Sequence, residues 1–250
     1  FLLVFIFSIF FTIASLIFQL YFIVSGNEII DLSLILNNVI VYGVSPFEIV
    51  SKILLSIVAI ILAFIVSIYF YTDKYEHRYF KLEYLPLFLT VLLGSFVLVS
   101  AEDLLTFLIG FELVAIPSYF VIALDNKNKI SLEGSIKYFL IGSISTISII
   151  LGILIFYIFN GSFLYSANLN NFNLISLKIG FLFILIGIIL KLAVFPFSFW
   201  IQDAYYASRI PYLLLISTFP KYSVVLALIK MLSYIQDGYL KILLSVLAVL

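Results

Sequence analysis

The sequence contains no cysteine, which excludes disulfide bonds, thiolate-bound zinc and cysteine-held iron–sulfur clusters. It contains one histidine, His77, and a single histidine cannot build a multi-histidine metal or haem site. Charged residues are only 10% of the chain, against about 25% in soluble domains. The 13 basic residues balance the 13 acidic ones. Because a nucleic-acid-binding surface needs a basic excess, we expect no nucleic acid among the partners.

Hydrophobic residues dominate instead, at 65% of the 250 residues, so lipid must be much of the solvent. A helix needs about 20 mostly apolar residues to cross the hydrocarbon core. The apolar runs lack the period-two alternation of a membrane barrel. The pattern predicts an all-α, polytopic transmembrane helix bundle, with a tight turn at Glu102-Asp103 between the third and fourth spans. The predicted spans are 1–24, 47–71, 84–100, 101–124, 131–159, 174–201, 211–235 and 239–250.

Basic residues in the short loops predict the orientation, because such loops stay on the inner side of the membrane. The loops after the second, fourth and sixth spans contain Lys74, Arg78, Lys81, Lys127, Lys129 and Arg209. The loops 25–46 and 160–173 contain no lysine or arginine. We therefore expect the basic loops and the N-terminus on the inner side.

Three ionisable residues lie deep in the predicted spans: Glu112, Lys191 and Lys221. Each costs about 2.5–3.5 kcal/mol on insertion scales. One interpretation is a structural pair of Glu112 with one lysine, which would fix how the helices pack. The other is a path for an ion or a proton. We favour the path, because two lysines and one carboxylate cannot all be neutralised in pairs.

Other lysines lie nearer the ends of the spans. Lys137 lies six residues into the fifth span, about 9 Å along a helix, and is a fourth candidate for the path. The alternative is that it extends to the inner interface. Interfacial positions are expected for the remaining lysines near span ends, which are Lys52, Lys178, Lys230 and Lys241.

Prolines accompany the three deep charges. Pro117 and Pro196 each follow a charge by five residues, and Pro220 directly precedes Lys221. A proline removes a backbone donor and clashes with the carbonyl four residues back. Irregular backbone occurs at membrane depth only where protein or water can form hydrogen bonds with its free N–H and C=O groups. Transporters place binding sites at broken helices. Simple helix kinks are the alternative.

A stripe of small residues on the fifth span predicts a packing face rather than a site. It comprises Gly142, Ser145, Ser148 and Gly152, and Gly180 and Gly187 on the sixth span are interpreted in the same way.

The deep charges suggest a proton switch. Burial disfavours the charged form of a lysine, whereas a nearby carboxylate favours it. Lys191 paired with Glu112 would hold its proton, and Lys191 without that partner would release it, through water, to Lys221.

Three segments carry a family resemblance. They are EDLLTFLIGFELVAIPSYFVIAL at 102–124, LEGSIKYFLIG at 132–142 and GIILKLAVFPFSFWIQDAYYASRIPYLLLISTFPK at 187–221. They resemble subunit 2 of respiratory complex I, the NADH:ubiquinone oxidoreductase, which is an antiporter-like membrane subunit. The resemblance covers about residues 46–235. The EGxxKYF pattern and Pro220-Lys221 distinguish this subunit from subunits 4 and 5.

The resemblance implies a role for each of four residues. Glu112 matches the glutamate of the family's Glu–Lys pair, and Lys191 matches the lysine of the broken helix. Lys221 matches the central-axis lysine, and Lys137 a further lysine of the hydrophilic axis. The implied organisation is N-terminal transmembrane helices at 1–100, an antiporter-like five-helix repeat at 101–238, and the start of a further helix at 239–250.

This sequence departs from the family pattern in two ways. The family often has histidine, proline and glutamate where Ser198, Gln202 and Tyr206 stand, which leaves the charged axis intact. Family members also continue into a second, inverted repeat. Either a second polypeptide completes that repeat or the chain is truncated, and we favour the second polypeptide.

The implied function is that of a non-redox membrane subunit of an H⁺-translocating NADH:ubiquinone reductase, with no cofactor in this chain. Expected partners are other complex I membrane-arm subunits and lipids. The bias toward Phe, Ile, Leu, Tyr, Asn and Lys resembles an A+T-rich organelle genome, which favours the mitochondrial inner membrane. The alternatives are a stand-alone cation/proton antiporter and a scaffold subunit without transport activity.

Overall fold

The computed structural model describes residues 45–72, 78–125, 128–165 and 175–234. Six of the helices in these ranges are long and apolar enough to cross a membrane. The only extended pairing in the described ranges is an isolated bridge between Asp103 and Leu164. The helices are α1 (Pro46–Thr72), α2 (Arg78–Ser100), α3 (Leu104–Ala123), α4 (Lys129–Asn160), α5 (Ile175–Leu192), α6 (Phe199–Tyr206) and α7 (Ile210–Tyr234). The predicted all-α transmembrane bundle is confirmed.

The predicted spans coincide with the helices to within a few residues, apart from two differences. Helix α2 begins at Arg78, six residues before the predicted start at 84, because hydropathy marks the apolar part of a helix and backbone hydrogen bonding marks all of it. The second difference is the broken span described below. The predicted spans 1–24 and 239–250, together with His77 and Lys241, lie outside the described residues.

The turn predicted at Glu102-Asp103 separates α2 from α3. Asp103 has extended backbone and caps α3, and its carboxylate accepts hydrogen bonds from Thr106 N at 2.7 Å and Thr106 Oγ1 at 2.5 Å. Such a cap satisfies a backbone donor that the first turn of a helix leaves free. The segment after α4 is tied to the same turn, because Tyr165 N donates to the carbonyl of Glu102 at 3.0 Å.

The predicted span 174–201 is not one helix. Helix α5 ends at Leu192, the backbone of Ala193 has a φ of 56°, and α6 begins at Phe199. Pro196 explains the interruption, since it lacks an N–H and its ring clashes with the carbonyl of Leu192. The broken helix expected at this proline is confirmed.

The other two prolines correct the expectation of irregular backbone beside every deep charge. Pro117 lies within α3 and Pro220 within α7, and both helices continue through them. Both prolines are buried among neighbouring helices. Neighbouring helices can hold a proline-containing turn in helical form.

Helix α4 packs along α5 through the predicted small-residue stripe. Ser145 Oγ donates to the carbonyl of Gly187 at 2.7 Å, and Ser148 Oγ donates to the carbonyl of Phe183 at 2.7 Å. A Cβ on Gly152 would lie 2.5 Å from the Gly180 carbonyl oxygen, so the two backbones touch there. The packing interpretation of the stripe is confirmed.

Two ends of the bundle are distinguished below. The inner end, named after the predicted orientation, is where α1 and α3 finish and α7 begins. The outer end is where α1 and α3 begin. Large apolar side chains are exposed along the helices between them, for example Phe64 and Ile158, as expected of surfaces that face lipid.

Candidate functional site

Lys191 lies in the last turn of α5, directly before the helix break, and only 4% of it is exposed. Its Nζ donates a hydrogen bond to the hydroxyl of Tyr119 at 3.1 Å. Aromatic faces surround the ammonium: the ring centroids of Tyr119, Tyr138 and Phe111 lie 4.6, 4.7 and 5.6 Å from Nζ. All three distances are within the range of a cation–π interaction. Lys191 is thus a buried cation held by a phenol and three rings.

Glu112 lies at the middle of α3 and is half-buried. Its Oε1 accepts a hydrogen bond from Thr146 Oγ1 of α4 at 2.5 Å. Among the residues the structure describes, Glu112 and Lys191 form no ion pair within 4.0 Å, although the charge of Glu112 acts on Lys191. The structure therefore presents the two groups in a separated arrangement.

Tyr119 connects Glu112 and Lys191. It lies seven residues after Glu112, so both side chains project from the same face of α3. Its hydroxyl accepts the hydrogen bond from Lys191 and lies directly against Gly142 of α4, where a Cβ would collide with it. Thr146, one turn after Gly142, also reaches the Gly142 carbonyl oxygen at 3.1 Å. Polar groups of α3 and α4 thus lie side by side between the carboxylate and the ammonium.

Lys191 and Lys221 border one narrow cavity. That cavity lies between α4, α5, α6 and α7 and also contacts Trp200 and Tyr205. Its volume of about 10 Å³ is close to what a single buried water molecule needs. Lys221 Nζ lies 5.2 Å from the centroid of the Tyr205 ring.

The helix break shapes this cavity. Trp200, at the start of α6, donates from Nε1 to the carbonyl of Leu190 across the break at 3.2 Å. Its ring stacks on Tyr138 with the centroids 4.9 Å apart. Ser118 of α3 in turn donates to the Tyr138 hydroxyl at 3.2 Å. The break therefore has a defined shape, held by one indole and one phenol.

Lys137 lies nearer the inner end and is 43% exposed. Its Nζ pairs with Glu133 Oε1 and with Asp203 Oδ2, both at 2.8 Å. The second pair joins α4 to α6, which carries the cavity-lining Tyr205 two residues later. Among the four predicted site residues, the structure places Lys191 and Lys221 on one cavity and Lys137 at the inner edge of the same helices, whereas Glu112 does not border that cavity.

Sequence reasoning missed several polar residues. Tyr119 and Thr146 are uncharged, so the cost of burying a charge gave no signal for them. For Tyr119 alone, the seven-residue spacing from Glu112 was a signal. The interfacial position expected for Lys230 is wrong: only 7% of its side chain is exposed, and it pairs with Glu48 Oε1 at 2.5 Å. Its carboxylate partner on α1 neutralises it inside the protein.

The described part of the chain contains no cluster of three or more histidine, cysteine, aspartate or glutamate residues that could hold a metal ion.

Comparison with known proteins decides the family. The family model for "NADH:quinone oxidoreductase/Mrp antiporter, TM" matches residues 101–250. The chain belongs to this family. The antiporter-like resemblance drawn from the sequence is thereby confirmed.

Curated relatives from bacteria agree with the assignment. NADH-quinone oxidoreductase subunit N of Hydrogenovibrio crunogenus is 32% identical over 165 residues, which are 62% of this chain and 34% of that protein. NADH-quinone oxidoreductase subunit N 1 of Aquifex aeolicus is 30% identical over 198 residues, 79% of this chain and 41% of that protein. The chain thus spans between a third and about two fifths of the length of these relatives.

Solved structures share the fold. A chain of respiratory complex I from Thermus thermophilus superposes with a TM-score of 0.64 at 26% identity, over 76% of this chain and 40% of that chain. A chain of the Mrp complex from Dietzia superposes with a TM-score of 0.66 at 19% identity, over 77% of this chain and 35% of that chain. The second likeness shows the fold alone.

Proposed function

We propose that this chain is part of a membrane subunit of an H⁺-translocating NADH:quinone oxidoreductase, and that protons pass through its Glu112–Lys191–Lys221 axis. The chain itself would do no redox chemistry. Family membership and the subunit N relatives support the first part. One observation carries the second: Lys191 and Lys221 border a single cavity inside the bundle.

The position of Lys191 supports a transferable proton. A buried ammonium without a carboxylate partner is costly, and within the described ranges Lys191 contacts a neutral phenol and aromatic faces but forms no ion pair. In the separated arrangement its proton would pass to a water molecule in the cavity and on to the neutral amine of Lys221. An approach of Glu112 toward Lys191 would favour the charged form again, so the distance between these two groups sets the direction of transfer.

Proton uptake from the inner side would begin near Lys137. Its pair with Asp203 lies at the partly exposed inner edge of α4 and α6, and Tyr138 and Tyr205, which border the cavity, are close in sequence to these two residues. Lys137 therefore acts in the proposal as a surface group that supplies the cavity, rather than as a buried carrier.

The test uses the intact membrane complex that contains this chain, reconstituted in vesicles. Lys191→Met and Lys221→Met each remove a transferable proton and keep an unbranched side chain. We expect proton translocation to fall by about 10²-fold or more, the usual loss when one proton-transferring group is removed. The measurement is vesicle acidification during NADH oxidation, beside the composition of the purified complex.

Lys178→Met is the matched control, because Lys178 lies on the same helix α5 in a partly exposed position. It should leave translocation unchanged. A Lys191→Met complex of normal composition that still pumps at the normal rate would contradict the proposed axis.

A stand-alone cation/proton antiporter is the second candidate, since the family description also includes Mrp antiporters. Exchange of Na⁺ for H⁺ by vesicles that contain this chain alone, without NADH or quinone, would favour it. If Glu112, Lys191 and Lys221 variants all behave normally in the complex, the chain would be a scaffold subunit instead.

The proposed partners are the other membrane-arm subunits and lipids. The proposed location is the mitochondrial inner membrane, which the residue bias supports, whereas the relatives named above are bacterial. Cross-linking of the purified complex, followed by mass spectrometry, identifies the neighbouring subunits. The peptide sequences also show which genome encodes these subunits.

A further inference from the structure

A buried charge pair lies at the outer end, away from the cavity. Glu48 of α1 is fully buried, and Lys230 of α7 is nearly so. Lys230 Nζ lies 2.5 Å from Glu48 Oε1, donates to the carbonyl of Ser100 at 3.2 Å, and lies 3.7 Å from Glu102 Oε1. The ammonium thus has one buried and one more exposed carboxylate within reach.

One oxygen of Glu48 is unsatisfied. Its Oε1 accepts hydrogen bonds from Lys230 and from Ser45 Oγ, the latter at 3.2 Å. Its Oε2 is buried and has no hydrogen-bond partner among the residues that the structure describes. A charged oxygen in that state is expensive, whereas a proton on Oε2 removes the charge. The geometry therefore favours a carboxyl group that changes its protonation state.

Stability alone does not account for this pair. Replacing a buried ion pair by apolar residues of similar size is often neutral or stabilising. Glu48 also lies three residues after Ser45, and its backbone N donates to Ser45 Oγ at 3.3 Å, as in a helix cap. A cap requires neither full burial of the carboxylate nor an ammonium from another helix. Capping and packing therefore do not explain why the Glu48 carboxylate is fully buried beside the ammonium of Lys230.

The pair has a connection to the surface. Glu102 lies in the turn between α2 and α3, and its side chain is 30% exposed. The other charged or titratable groups that act on the pair or lie beside Glu102 are Lys52 on α1, Asp103 in the turn, Tyr165 after α4 and Tyr234 at the end of α7. When all are ionised, the site has three carboxylates (Glu48, Glu102 and Asp103) and two ammonium groups (Lys52 and Lys230), so one bound proton balances the charges.

We propose that Glu48 and Lys230 form a proton-exchange site at the outer end of the bundle, with Glu102 as the group that exchanges the proton with water. A proton from water passes through Glu102 to Glu48 Oε2. Neutral Glu48 then releases Lys230, which keeps its proton and pairs with Glu102. The reverse steps return the proton to water. A role in translocation rests on the proposed function, but proton binding by Glu48 does not.

Infrared spectroscopy of the purified complex tests proton binding directly. Spectra recorded across a pH titration should contain the carbonyl band of a protonated carboxylic acid that is lost in Glu48→Gln. Glu83→Gln is the matched control, because Glu83 is an exposed carboxylate on α2, and its loss should leave that band in place. Glu48→Asp, which keeps the carboxyl group, should retain a band.

Translocation by the same complexes tests the use of the site. We expect Glu48→Gln to assemble and to translocate about 10²-fold more slowly, as for loss of another proton-transferring group. An assembled Glu48→Gln complex with an unchanged infrared band and an unchanged translocation rate would overturn the proposal.

A variant with an apolar pair covers the case in which Glu48→Gln fails to assemble. Glu48→Leu combined with Lys230→Met replaces both charges. If this complex assembles and translocates normally, the pair is structural and the proposal is wrong; slow translocation by an assembled complex supports it. Failure of both variants to assemble would identify a packing element and also overturn it.

The two proposals fail separately. If Lys191→Met pumps normally and Glu48→Gln does not, the cavity is not the route, but the outer site stands. If Glu48→Gln pumps normally with its band unchanged and Lys191→Met does not, the outer site fails and the axis stands.

Discussion

The ammonium of Lys191 donates its hydrogen bond to the hydroxyl of Tyr119, 3.1 Å away, and forms no ion pair with Glu112 in the described part of the chain. The two groups are therefore apart in this structure, while the switch suggested by the sequence stays a prediction. The structure adds a phenol between the two charges, which the sequence analysis did not include.

Tyr119→Phe should slow proton translocation while the complex still assembles. The ring contacts with Tyr138 and Phe139 remain, but Lys191 loses its hydrogen-bond acceptor, a contact worth about 1.5–3 kcal/mol when one partner is charged. We expect at least a tenfold slower rate, since 1.4 kcal/mol corresponds to about tenfold. Vesicle acidification measures it. Tyr157→Phe, on an exposed ring stacked on Phe163, is the control, and equal rates for the two variants would contradict the role of Tyr119.

Gly142→Ala should destabilise the bundle and disturb the same site. The new Cβ would collide with the Tyr119 hydroxyl, and overpacking of a closed interface costs about 1–3 kcal/mol. Thermal unfolding of the purified complex measures the loss. Ser143→Ala, at the neighbouring, partly exposed position of α4, should leave the midpoint unchanged. A Gly142→Ala midpoint equal to that of the wild type would contradict the close approach.

The Arg209–Asp125 pair should stabilise the inner end without pH dependence in the neutral range. Arg209 Nε lies 2.9 Å from Asp125 Oδ2. Burial lowers the pKa of the guanidinium, but the hydrogen bond and the charge of Asp125 outweigh this, so its pKa lies above the ordinary value. The stabilising charge of Arg209 is fully present at every pH below the pKa that its guanidinium has in the unfolded chain. The guanidinium therefore stays charged from about pH 6 to 9.

Asp125→Asn should therefore lower the free energy of unfolding by about 1–2 kcal/mol at any pH in that range. The coupling is measured by a double-mutant cycle with Arg209→Met. Additive effects of the two substitutions would show that the pair contributes nothing.

Tyr165→Phe should leave stability at neutral pH unchanged to within about 0.5 kcal/mol, because the buried hydroxyl has no hydrogen-bond partner in the described residues. Burial, then the charges of Asp103 and Glu102, raise the pKa of Tyr165. The folded state therefore resists losing this proton, whereas the unfolded chain loses it above about pH 10. The free energy of unfolding is consequently unaffected by this group below about pH 10 and falls above it.

The variant should consequently lose less stability above about pH 10 than the wild type does. Unfolding midpoints recorded across the alkaline range test this. Tyr206→Phe, which changes a strongly exposed ring, should follow the wild type, and parallel curves for all three proteins would contradict the effect of burial.

Hydropathy was sufficient to predict the bundle, because a membrane-spanning helix needs a long run of apolar residues and such runs are visible in the sequence. It also identified Glu112, Lys191 and Lys221, since a charge within such a run stands out. It could not separate a continuous helix from a broken one: Pro117, Pro196 and Pro220 look alike in the sequence, and only Pro196 coincides with an interruption. Packing by neighbouring helices decides between these outcomes.

Lys230 shows why the outer charge pair was missed. Near the end of a span a lysine normally reaches the interface, and its partner Glu48 lies 182 residues away in the sequence. Ser45-x-x-Glu48 is a pattern typical of a helix start, but nothing in the local sequence shows that this helix end lies beside α7. Long-range neighbours of this kind follow from the tertiary structure alone.

The interruption after Leu192 also gives α5 a terminus within the membrane, with Lys191 in its final turn. The aligned peptide dipoles of a helix place about half a negative elementary charge at such a terminus. This counter-charge is permanent and belongs to the backbone, so no substitution of a neighbouring side chain removes it. Lys191 thus retains partial compensation in every position of Glu112, which moderates how far the carboxylate alone can drive its proton.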